Sequence, residues 1–434
     1  KPWHLFTVWS SPNLEFATVF VGALAIGFGL NIWQGILAIV VGNGLAGLTH
    51  GILSTWGPEA GLPQMVLGRN AFGKIGNLIP SGLSTLVAGI GWFAVNTVSG
   101  TFALQQLVGG LNVFAALAII IIAQVGVAFV GHNLIQKWER YATYVFAVVW
   151  LIVVVTVVTH AGAFDVAPAA SADFPWAGFT LTAGAAYGYT AGWTAFASDY
   201  TRYLPANTDK KALGWAAGLG NFTSTTLIMG VGVLAFNALT GNPGDFWGIA
   251  NPTAAFTGLF NSTFGAIVLL SIVVGSVSAN ILNVYSGAMS FLAMGFKLGF
   301  KTRRAIMVLI AGLAGGVLSF LGVQNGDVAH QLDSFLLVVS YWVSPWIAVV
   351  LTERILSKGK DAGARAIAPK NSWAGAAAFV IATSFSIWGF AAQVLYTGPI
   401  AKAAPIGDLT AVVGFVLAAV LFAVFSQVDK NSKN

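Results

Sequence analysis

The chain contains no cysteine and very little charge. Without cysteine it can form neither a disulfide scaffold nor a thiolate-ligated zinc or iron–sulfur site. Charged residues occupy 8% of its 434 positions and hydrophobic residues 57%, and the mean hydropathy is +0.80. A soluble domain carries about 25% charged residues, because its surface faces water. The composition therefore excludes a soluble protein and predicts a chain whose surface faces lipid.

The scarce charges divide the chain into apolar runs that are long enough to cross a bilayer. A membrane helix needs about 20 predominantly apolar residues, and this length predicts an all-α protein of twelve spans. Two spans lie within Glu15–Glu59, with a turn near 29–31, and two within Lys74–Lys137, with a break near 109–110. Seven further spans are predicted at Tyr141–His160, Phe174–Ser198, Ala212–Leu239, Ala305–Val323, Ser334–Thr352, Trp373–Leu395 and Leu409–Val428. The remaining span ends near Phe296 and follows a predicted loop with a short helix at Phe246–Gly265.

The basic residues support this count, because cytoplasmic loops of membrane proteins are rich in Lys and Arg. With a cytoplasmic N-terminus, twelve spans place 19 of the 20 basic residues in cytoplasmic segments and only Lys402 outside. The nineteen are Lys1, Arg69, Lys74, Lys137, Arg140, Arg202, Lys210, Lys211, Lys297, Lys301, Arg303, Arg304, Arg354, Lys358, Lys360, Arg365, Lys370, Lys430 and Lys433. We therefore expect a multi-pass protein of the plasma membrane with both termini in the cytoplasm. The net charge of +6 reflects this sidedness, and no nucleic-acid partner is expected.

Two spans contain interruptions. In the first span, the polar segment Ser10–Asn13 divides two apolar runs. Either the helix breaks inside the membrane and buries Glu15, or it begins at Asn13 with Glu15 in an interfacial first turn. The sixth span has three glycines within Gly184–Trp193, which permit either unwinding or close helix packing. We expect both helices to be broken, because interruptions five spans apart fit an inverted repeat of five helices.

A short sequence pattern that occurs twice in the chain supports such a repeat. Asn96–Gly100 in the third span and Asn283–Gly287 in the eighth both fit the pattern Asn-x-x-Ser-Gly. The third and eighth spans are partners in a repeat of five. We expect residues 1–160 and 174–355 to form the two repeats and residues 373–428 to add two helices.

Polar side chains within the spans mark a candidate site, because they are costly in lipid. Trp92 and Asn96 lie four residues apart on one helix face, and Asn280 and Asn283 share another. An aromatic plane beside carboxamides suits a flat, hydrogen-bonding heterocycle. The alternatives are core packing for the tryptophan and interhelical hydrogen bonds for the asparagines.

Other patterns indicate no enzyme. Gly42–Gly47 matches a dinucleotide-binding pattern, but it lies inside the second span without a preceding strand. The histidines are scattered and form no metal-ligand spacing. No nucleophile–base pair is readable, so we expect neither catalysis nor a cofactor.

Four segments, taken in order along nearly the full length, resemble the nucleobase–cation symport family in its purine–cytosine permease branch. They are Leu67–Gly73 (LGRNAFG), Gly91–Asn96 (GWFAVN), Ala197–Pro205 (ASDYTRYLP) and Ala279–Ser286 (ANILNVYS). The resemblance implies a LeuT-type fold of two inverted five-helix repeats plus two C-terminal helices. It also implies a monomeric transporter that alternates between outward-open and inward-open states.

The resemblance implies a substrate site as well. Trp92 would stack on the substrate ring, and Asn96 would bind its edge. An aromatic of the sixth span would cover the other face, with Trp193 beside Gly192 as the best match and Tyr189 as the second choice. Glu15 would accept N–H groups of the substrate or carry the coupling proton. The expected substrate-binding residues are Trp92, Asn96, Trp193, Tyr189, Asn280, Asn283 and Glu15.

The coupling ion is either a proton or sodium. Sodium-coupled relatives bind the ion with helix-one carbonyls, which here belong to Ser11 and Leu14, and with two adjacent hydroxyls of the eighth span. This chain keeps Ser278, but the preceding position holds valine. Loss of an oxygen weakens a site for a hard cation, which favours protons carried by Glu15 or Asp199.

The predicted function is the import of a purine or cytosine by cation symport. The nearest alternative is the same mechanism for another flat heterocycle, such as allantoin, a hydantoin or a vitamin precursor. A channel or a membrane-embedded sensor is the alternative from another class, although neither needs paired broken helices.

Overall fold

The computed structural model describes residues 2–130, 132–160, 162–165, 174–240, 243–296 and 299–431, which are almost entirely helical. The helices of the predicted spans are α1 (His4–Ser10), α2 (Phe16–Gly27), α3 (Ile32–Ser54), α4 (Leu78–Leu86), α5 (Phe93–Leu107), α6 (Val113–Val130), α7 (His132–Val158), α8 (Trp176–Gly192), α9 (Ala197–Thr201), α10 (Lys210–Leu239), α11 (Ser262–Ala293), α12 (Phe300–Ile310), α13 (Gly316–Asn325), α14 (Val328–Leu356), α15 (Ala374–Phe390) and α16 (Thr410–Asn431). Short helices in the connections are Gly57–Ala60, Gln64–Leu67, Arg69–Gly76, Pro243–Trp247, Pro252–Thr257, Ala362–Ile367 and Pro399–Ala403.

Each predicted span contains helix. Seven helical segments within the described ranges are long and apolar enough to cross a membrane, and four shorter apolar helices lie in other spans. Helix α8 of the sixth span belongs to neither group, so length and composition together support seven of the twelve predicted crossings, and composition alone supports four more. The loop predicted at Phe246–Gly265 contains the expected short helix, Pro252–Thr257, together with the end of the helix Pro243–Trp247 and the start of α11.

The two predicted turns have clear local causes. Gly29 adopts a left-handed conformation with φ of 78°, and Asn31 and Gln34 then form a reciprocal capping box at the start of α3. Gly110, with φ of 83°, lies in the break between α5 and α6. A positive φ suits glycine because it has no Cβ.

The first span is broken as predicted. Helix α1 ends at Ser10, a 3₁₀ turn covers Ser11–Asn13, and α2 begins at Phe16. The interfacial alternative for Glu15 is wrong, because α1 packs on α10 and only 9% of Glu15 is exposed. The Ser10 hydroxyl donates to the carbonyl oxygen of Gly220 in α10 at 3.1 Å, which ties the first half-helix to the bundle.

The sixth span breaks later than predicted. Helix α8 continues through Gly184 and Gly188, and the departure is a 3₁₀ turn at Trp193–Phe196. A methyl group at Gly188 would lie 2.2 Å from the Leu336 carbonyl oxygen in α14. The glycine therefore allows α8 and α14 to pack closely, as small residues do in membrane helices.

The third span contains a π-helical turn at Val87–Trp92, between α4 and α5. Before this turn the Ser84 and Ser290 hydroxyls are hydrogen-bonded at 2.9 Å. After it, Asn96 Nδ2 donates to Asn280 Oδ1 at 3.0 Å. Turns of this kind are frequent at functional sites, and here it joins two stretches that both contact α11.

Three segments predicted to be cytoplasmic meet at one ion cluster. Glu59 Oε2 lies 2.9 Å from Lys210 Nζ and 3.1 Å from an Arg354 guanidinium nitrogen. These residues follow the second, sixth and tenth spans, so those three helices end near one another. Lys1, Lys297 and Lys433, which also support the predicted sidedness, lie outside the described residues.

The close packing of α8 on α14 predicts that Gly188→Ala destabilises the protein. The added methyl group meets a backbone carbonyl that cannot rotate away, and such overpacking costs about 1–3 kcal/mol. Gly230→Ala is the matched control, because nothing lies within 4 Å of a Cβ at this α10 position. The midpoint of thermal unfolding in detergent should fall for Gly188→Ala alone; equal midpoints would contradict the packing role.

Candidate substrate-binding site

Trp92 lies at the end of the π-helical turn and is held between two aromatic rings. Its ring contacts Tyr189 of α8 edge-to-face at 5.1 Å and Phe335 of α14 edge-to-face at 5.0 Å, as measured between ring centroids. A methyl group at Gly192 would lie 3.6 Å from Trp92 Nε1. Trp92 is therefore buried among the third, sixth and tenth spans.

The break in the first span lies beside this aromatic group. The Tyr189 hydroxyl donates to Glu15 Oε1 at 3.0 Å and is hydrogen-bonded to the Thr18 hydroxyl at 2.5 Å. Glu15 immediately precedes α2, and Thr18 lies in its first turn. Tyr189 therefore connects the buried carboxyl group to the ring of Trp92.

The three predicted asparagines form one cluster. Asn280 Oδ1 accepts hydrogen bonds from Asn96 Nδ2 at 3.0 Å and from Asn283 Nδ2 at 3.2 Å. Asn280 Nδ2 donates to the Phe93 carbonyl oxygen at 3.0 Å. Asn96 Oδ1 is buried and has no hydrogen-bond partner within the described part of the chain. The structure thus brings together the residues that helix spacing had singled out.

Asn13, which sequence reasoning treated only as part of the first break or as a helix cap, joins both broken helices. Its Oδ1 accepts from Trp193 Nε1 at 3.1 Å. Its Nδ2 donates to the Trp9 carbonyl oxygen at 2.8 Å and to the Ser224 hydroxyl at 2.9 Å. The side chain is fully buried. Its position after two serines and a proline was the available signal.

The two aromatic candidates of the sixth span have different surroundings. Tyr189 contacts Trp92, whereas Trp193 packs against Trp9 at 6.2 Å between ring centroids and binds Asn13. Trp193 immediately follows Gly192, so its backbone still borders the ring of Trp92. Tyr189 is therefore the direct ring neighbour in this structure.

The candidate cation-coupling residues belong to three elements, the break in the first span, α11 and α9. The Leu14 N–H donates to the Ser11 carbonyl oxygen at 3.2 Å within the 3₁₀ turn. Ser278 lies in α11, and no hydrogen bond joins it to that turn among the described residues. Asp199 is buried in α9, where its Oδ1 accepts from the Gln64 N–H at 2.9 Å.

A cavity of about 420 Å³ adjoins the aromatic group. Its lining includes Phe20 of α2, Gly91 and Val95 of the third span, and Phe335 of α14. Phe335 lines this cavity and also contacts Trp92. Sequence reasoning missed Phe335, because a phenylalanine in an apolar span carries no distinguishing signal.

The sequence profile of a family described as "Permease for cytosine/purines, uracil, thiamine, allantoin" matches residues 1–414. The chain belongs to this permease family. The predicted family is thereby confirmed, and the protein is a membrane transporter and not an enzyme.

Relatives match over most of their length. YxlA of Bacillus subtilis is 28% identical, over 98% of this chain and 93% of its own. The purine-cytosine permease fcyB of Emericella nidulans is 26% identical, over 96% of this chain and 83% of its own. The purine-cytosine permease FCY2 of Saccharomyces cerevisiae is 27% identical, over 95% and 79%.

Solved structures confirm the fold class. Mhp1, a nucleobase-cation-symport-1 family transporter in a closed conformation with bromovinylhydantoin bound, superposes with a TM-score of 0.75 at 18% identity. The likeness covers 99% of this chain and 93% of Mhp1. Inward-facing Mhp1 superposes with a TM-score of 0.69 at 18% identity, over 99% and 91%. The chain therefore has the predicted all-α, LeuT-type fold.

The hydrogen bond between the two breaks predicts energetic coupling between Asn13 and Trp193. Asn13→Ala should lower stability, because it leaves buried polar groups unpaired at about 1–3 kcal/mol. Trp193→Phe removes the indole donor and keeps a ring. In a double-mutant cycle on thermal unfolding the two changes should couple by about 1–2 kcal/mol. Additive effects would show that the hydrogen bond does not join the two breaks.

Proposed function

We propose that this protein imports a nucleobase, a purine or cytosine, by cation symport with alternating access. The observation that carries the proposal is the pairing of a buried aromatic plane, Trp92, with a buried acceptor one helical turn away, Asn96 Oδ1, which has no partner in the part of the chain that the structure describes. A flat ring that both stacks and hydrogen-bonds matches this pair. The names of the fungal relatives, purine-cytosine permeases, support the same substrate class.

Each site residue has a proposed role. Trp92 stacks on one face of the base, and Tyr189 or Trp193 covers the other. Glu15 binds N–H groups on the substrate edge from the break in the first span. The carboxamides of Asn96, Asn280 and Asn283 form the opposite polar wall, with the Asn96 and Asn283 oxygens available to the substrate.

Alternating access would use the two predicted repeats, 1–160 and 174–355. The broken helices of the first and sixth spans supply parts that can tilt around a fixed site. Phe335 both lines the 420 Å³ cavity and contacts Trp92. A substrate that enters by this cavity would require α14 to withdraw Phe335.

We also propose that the protein is a monomer in the plasma membrane and that both of its termini lie in the cytoplasm.

A second candidate is the same mechanism for another flat heterocycle. The family description includes uracil, thiamine and allantoin, and the Mhp1 structure holds a hydantoin. Hydantoins and allantoin share the small ring and the N–H groups of nucleobases. The two candidates differ in substrate and in no other part of the proposal.

The coupling ion is proposed to be a proton. The valine before Ser278 removes one oxygen from the cation site of sodium-coupled relatives, and few oxygens bind a hard cation weakly. Glu15 or Asp199 would carry the proton. Sodium bound by Ser11, Leu14 and Ser278 is the alternative.

The substrate proposal predicts stabilisation of the purified protein by nucleobases and loss of that effect in Trp92→Ala. A ligand at one hundred times its Kd stabilises by about 2.7 kcal/mol, which thermal unfolding detects. Loss of stacking, about 1–3 kcal/mol per base, should weaken binding by about fivefold or more. Trp92→Phe keeps a ring and should retain part of the affinity.

Trp33→Ala is the control for this experiment, because Trp33 is 60% exposed at the start of α3 and lies outside the site. If Trp92→Ala folds and keeps full affinity, the stacking role is wrong. If allantoin or a hydantoin stabilises the protein and no nucleobase does, the second candidate is correct.

The coupling proposal predicts that uptake of labelled substrate continues when sodium is replaced at fixed pH. A proton gradient should drive accumulation, and a protonophore should abolish it. One of the variants Glu15→Gln and Asp199→Asn, neither of which can exchange a proton at that position, should uncouple accumulation from that gradient and so identify the carrier. Uptake that stops without sodium would show instead that sodium is the coupling ion.

A further inference from the structure

A carboxamide presents a donor at one end and an acceptor at the other, and its partners decide which end faces a ligand. A backbone carbonyl can only accept, so an amide bound to it must turn its nitrogen inward. Asn280 meets this condition, because its side-chain nitrogen lies 3.0 Å from the Phe93 carbonyl oxygen. The reversed orientation would place two oxygens in contact.

Thr97 imposes the same orientation on Asn280. Its hydroxyl oxygen lies 2.6 Å from the Phe93 carbonyl oxygen and 2.8 Å from Gln124 Oε1, and its single proton is taken by one of these acceptors. Gln124 is itself oriented, since its Nε2 donates to the Ser276 carbonyl oxygen at 3.4 Å. Thr97 therefore offers only a lone pair to Asn280 Nδ2, at 3.4 Å.

The fixed Asn280 orients two further amides. Its Oδ1 receives the side-chain nitrogens of Asn96 and Asn283. Each of these asparagines turns its nitrogen toward Asn280 and donates one of its two N–H groups there, so its oxygen points away from Asn280. Asn96 Oδ1 is buried and unpaired within the described residues, a condition that costs about 1–3 kcal/mol. An N–H group of a substrate would recover this cost.

Glu15 lies on the side of the first span, where its Oε1 accepts from the Tyr189 hydroxyl. Because Glu15 is also proposed to carry the coupling proton, its carboxyl group is acceptor-only just while it is ionised. The side chains that present oxygens in either state are therefore Asn96 and Asn283.

We propose that Asn280 is a positioning residue, not a substrate ligand, and that the acceptor wall it sets up selects bases bearing amino groups over their oxo counterparts. The proposal rests on the proposed function, since it names the substrate class within it. Replacing an amino group by oxygen places an acceptor against an acceptor. Sites built to bind a donor discriminate strongly against analogues that lack it.

The test compares two matched pairs of ligands on the purified protein: adenine with hypoxanthine, and cytosine with uracil. Competition against a labelled base should show at least tenfold tighter binding of the amino member in each pair. Equal affinities, or tighter binding of the oxo member, would overturn the acceptor wall and leave the nucleobase function standing. If no base of either pair binds, the proposed function fails and this inference fails with it.

Variants separate positioning from general stability. Asn280→Leu frees both neighbouring amides to rotate, so the ratio of amino to oxo affinities should fall to within threefold. Thr97→Val removes one of the two groups that orient Asn280, and it should lower the ratio partway even if Asn280→Leu does not fold. A merely structural role would weaken both ligands equally and keep the ratio, which would overturn the positioning role.

Thr101→Val is the matched control. Thr101 is a buried threonine one turn further along α5, and its hydroxyl donates to the Thr97 backbone carbonyl at 2.7 Å. The wild-type ratio should persist in this variant. A ratio that collapses here as well would show that any buried threonine of α5 affects specificity, and the role assigned to Thr97 and Asn280 would be wrong.

Discussion

A backbone that leaves the helical path inside a bilayer must find partners within the protein, because lipid supplies none. In this transporter one buried asparagine binds a backbone carbonyl at the first break and joins the break to side chains of α10 and of the sixth span. Asn13 binds the Trp9 carbonyl, the α10 hydroxyl of Ser224 and the indole of Trp193. Both broken helices therefore depend on it. The turn that it stabilises leads directly to Glu15, and through Tyr189 to the ring on which a substrate would stack.

The helical framework could be predicted because charge and hydropathy act over about twenty residues and need no knowledge of neighbours. The turn at Gly29 and Asn31 could also be predicted, because its signal lies in adjacent residues. The sixth span shows the limit of this reasoning. From the sequence, Gly188 is equally compatible with an unwound helix and with close helix packing. The contact that favours packing is with the Leu336 carbonyl, more than a hundred positions away in the chain. The π-helical turn had no recognisable local signal.

Some of the site residues could likewise be predicted from the sequence, and others could not. Trp92, Asn96, Asn280 and Asn283 could be chosen by helix-face spacing, because polar groups in lipid are costly enough to be informative. The sequence ranked Trp193 ahead of Tyr189, whereas the structure places Tyr189 against Trp92, because which ring meets Trp92 depends on where the sixth span breaks. Phe335 could not be predicted, because an apolar residue in an apolar span cannot be assigned to a site until its tertiary contacts are known.

The π-helical turn also resolves a mismatch of register. Ser84 and Asn96 are twelve residues apart, whereas their partners Ser290 and Asn280 on the neighbouring helix are ten apart. At about 1.5 Å per residue, regular helices would place the first pair about 18 Å apart and the second about 15 Å. The wider turn at Val87–Trp92 absorbs the surplus. Because a π-helical turn holds one residue more than an α-helical turn, a single-residue deletion at Val87–Trp92 would leave a regular helix and keep both pairs close to their partners. The same deletion within α5 would rotate everything beyond it by about 100°.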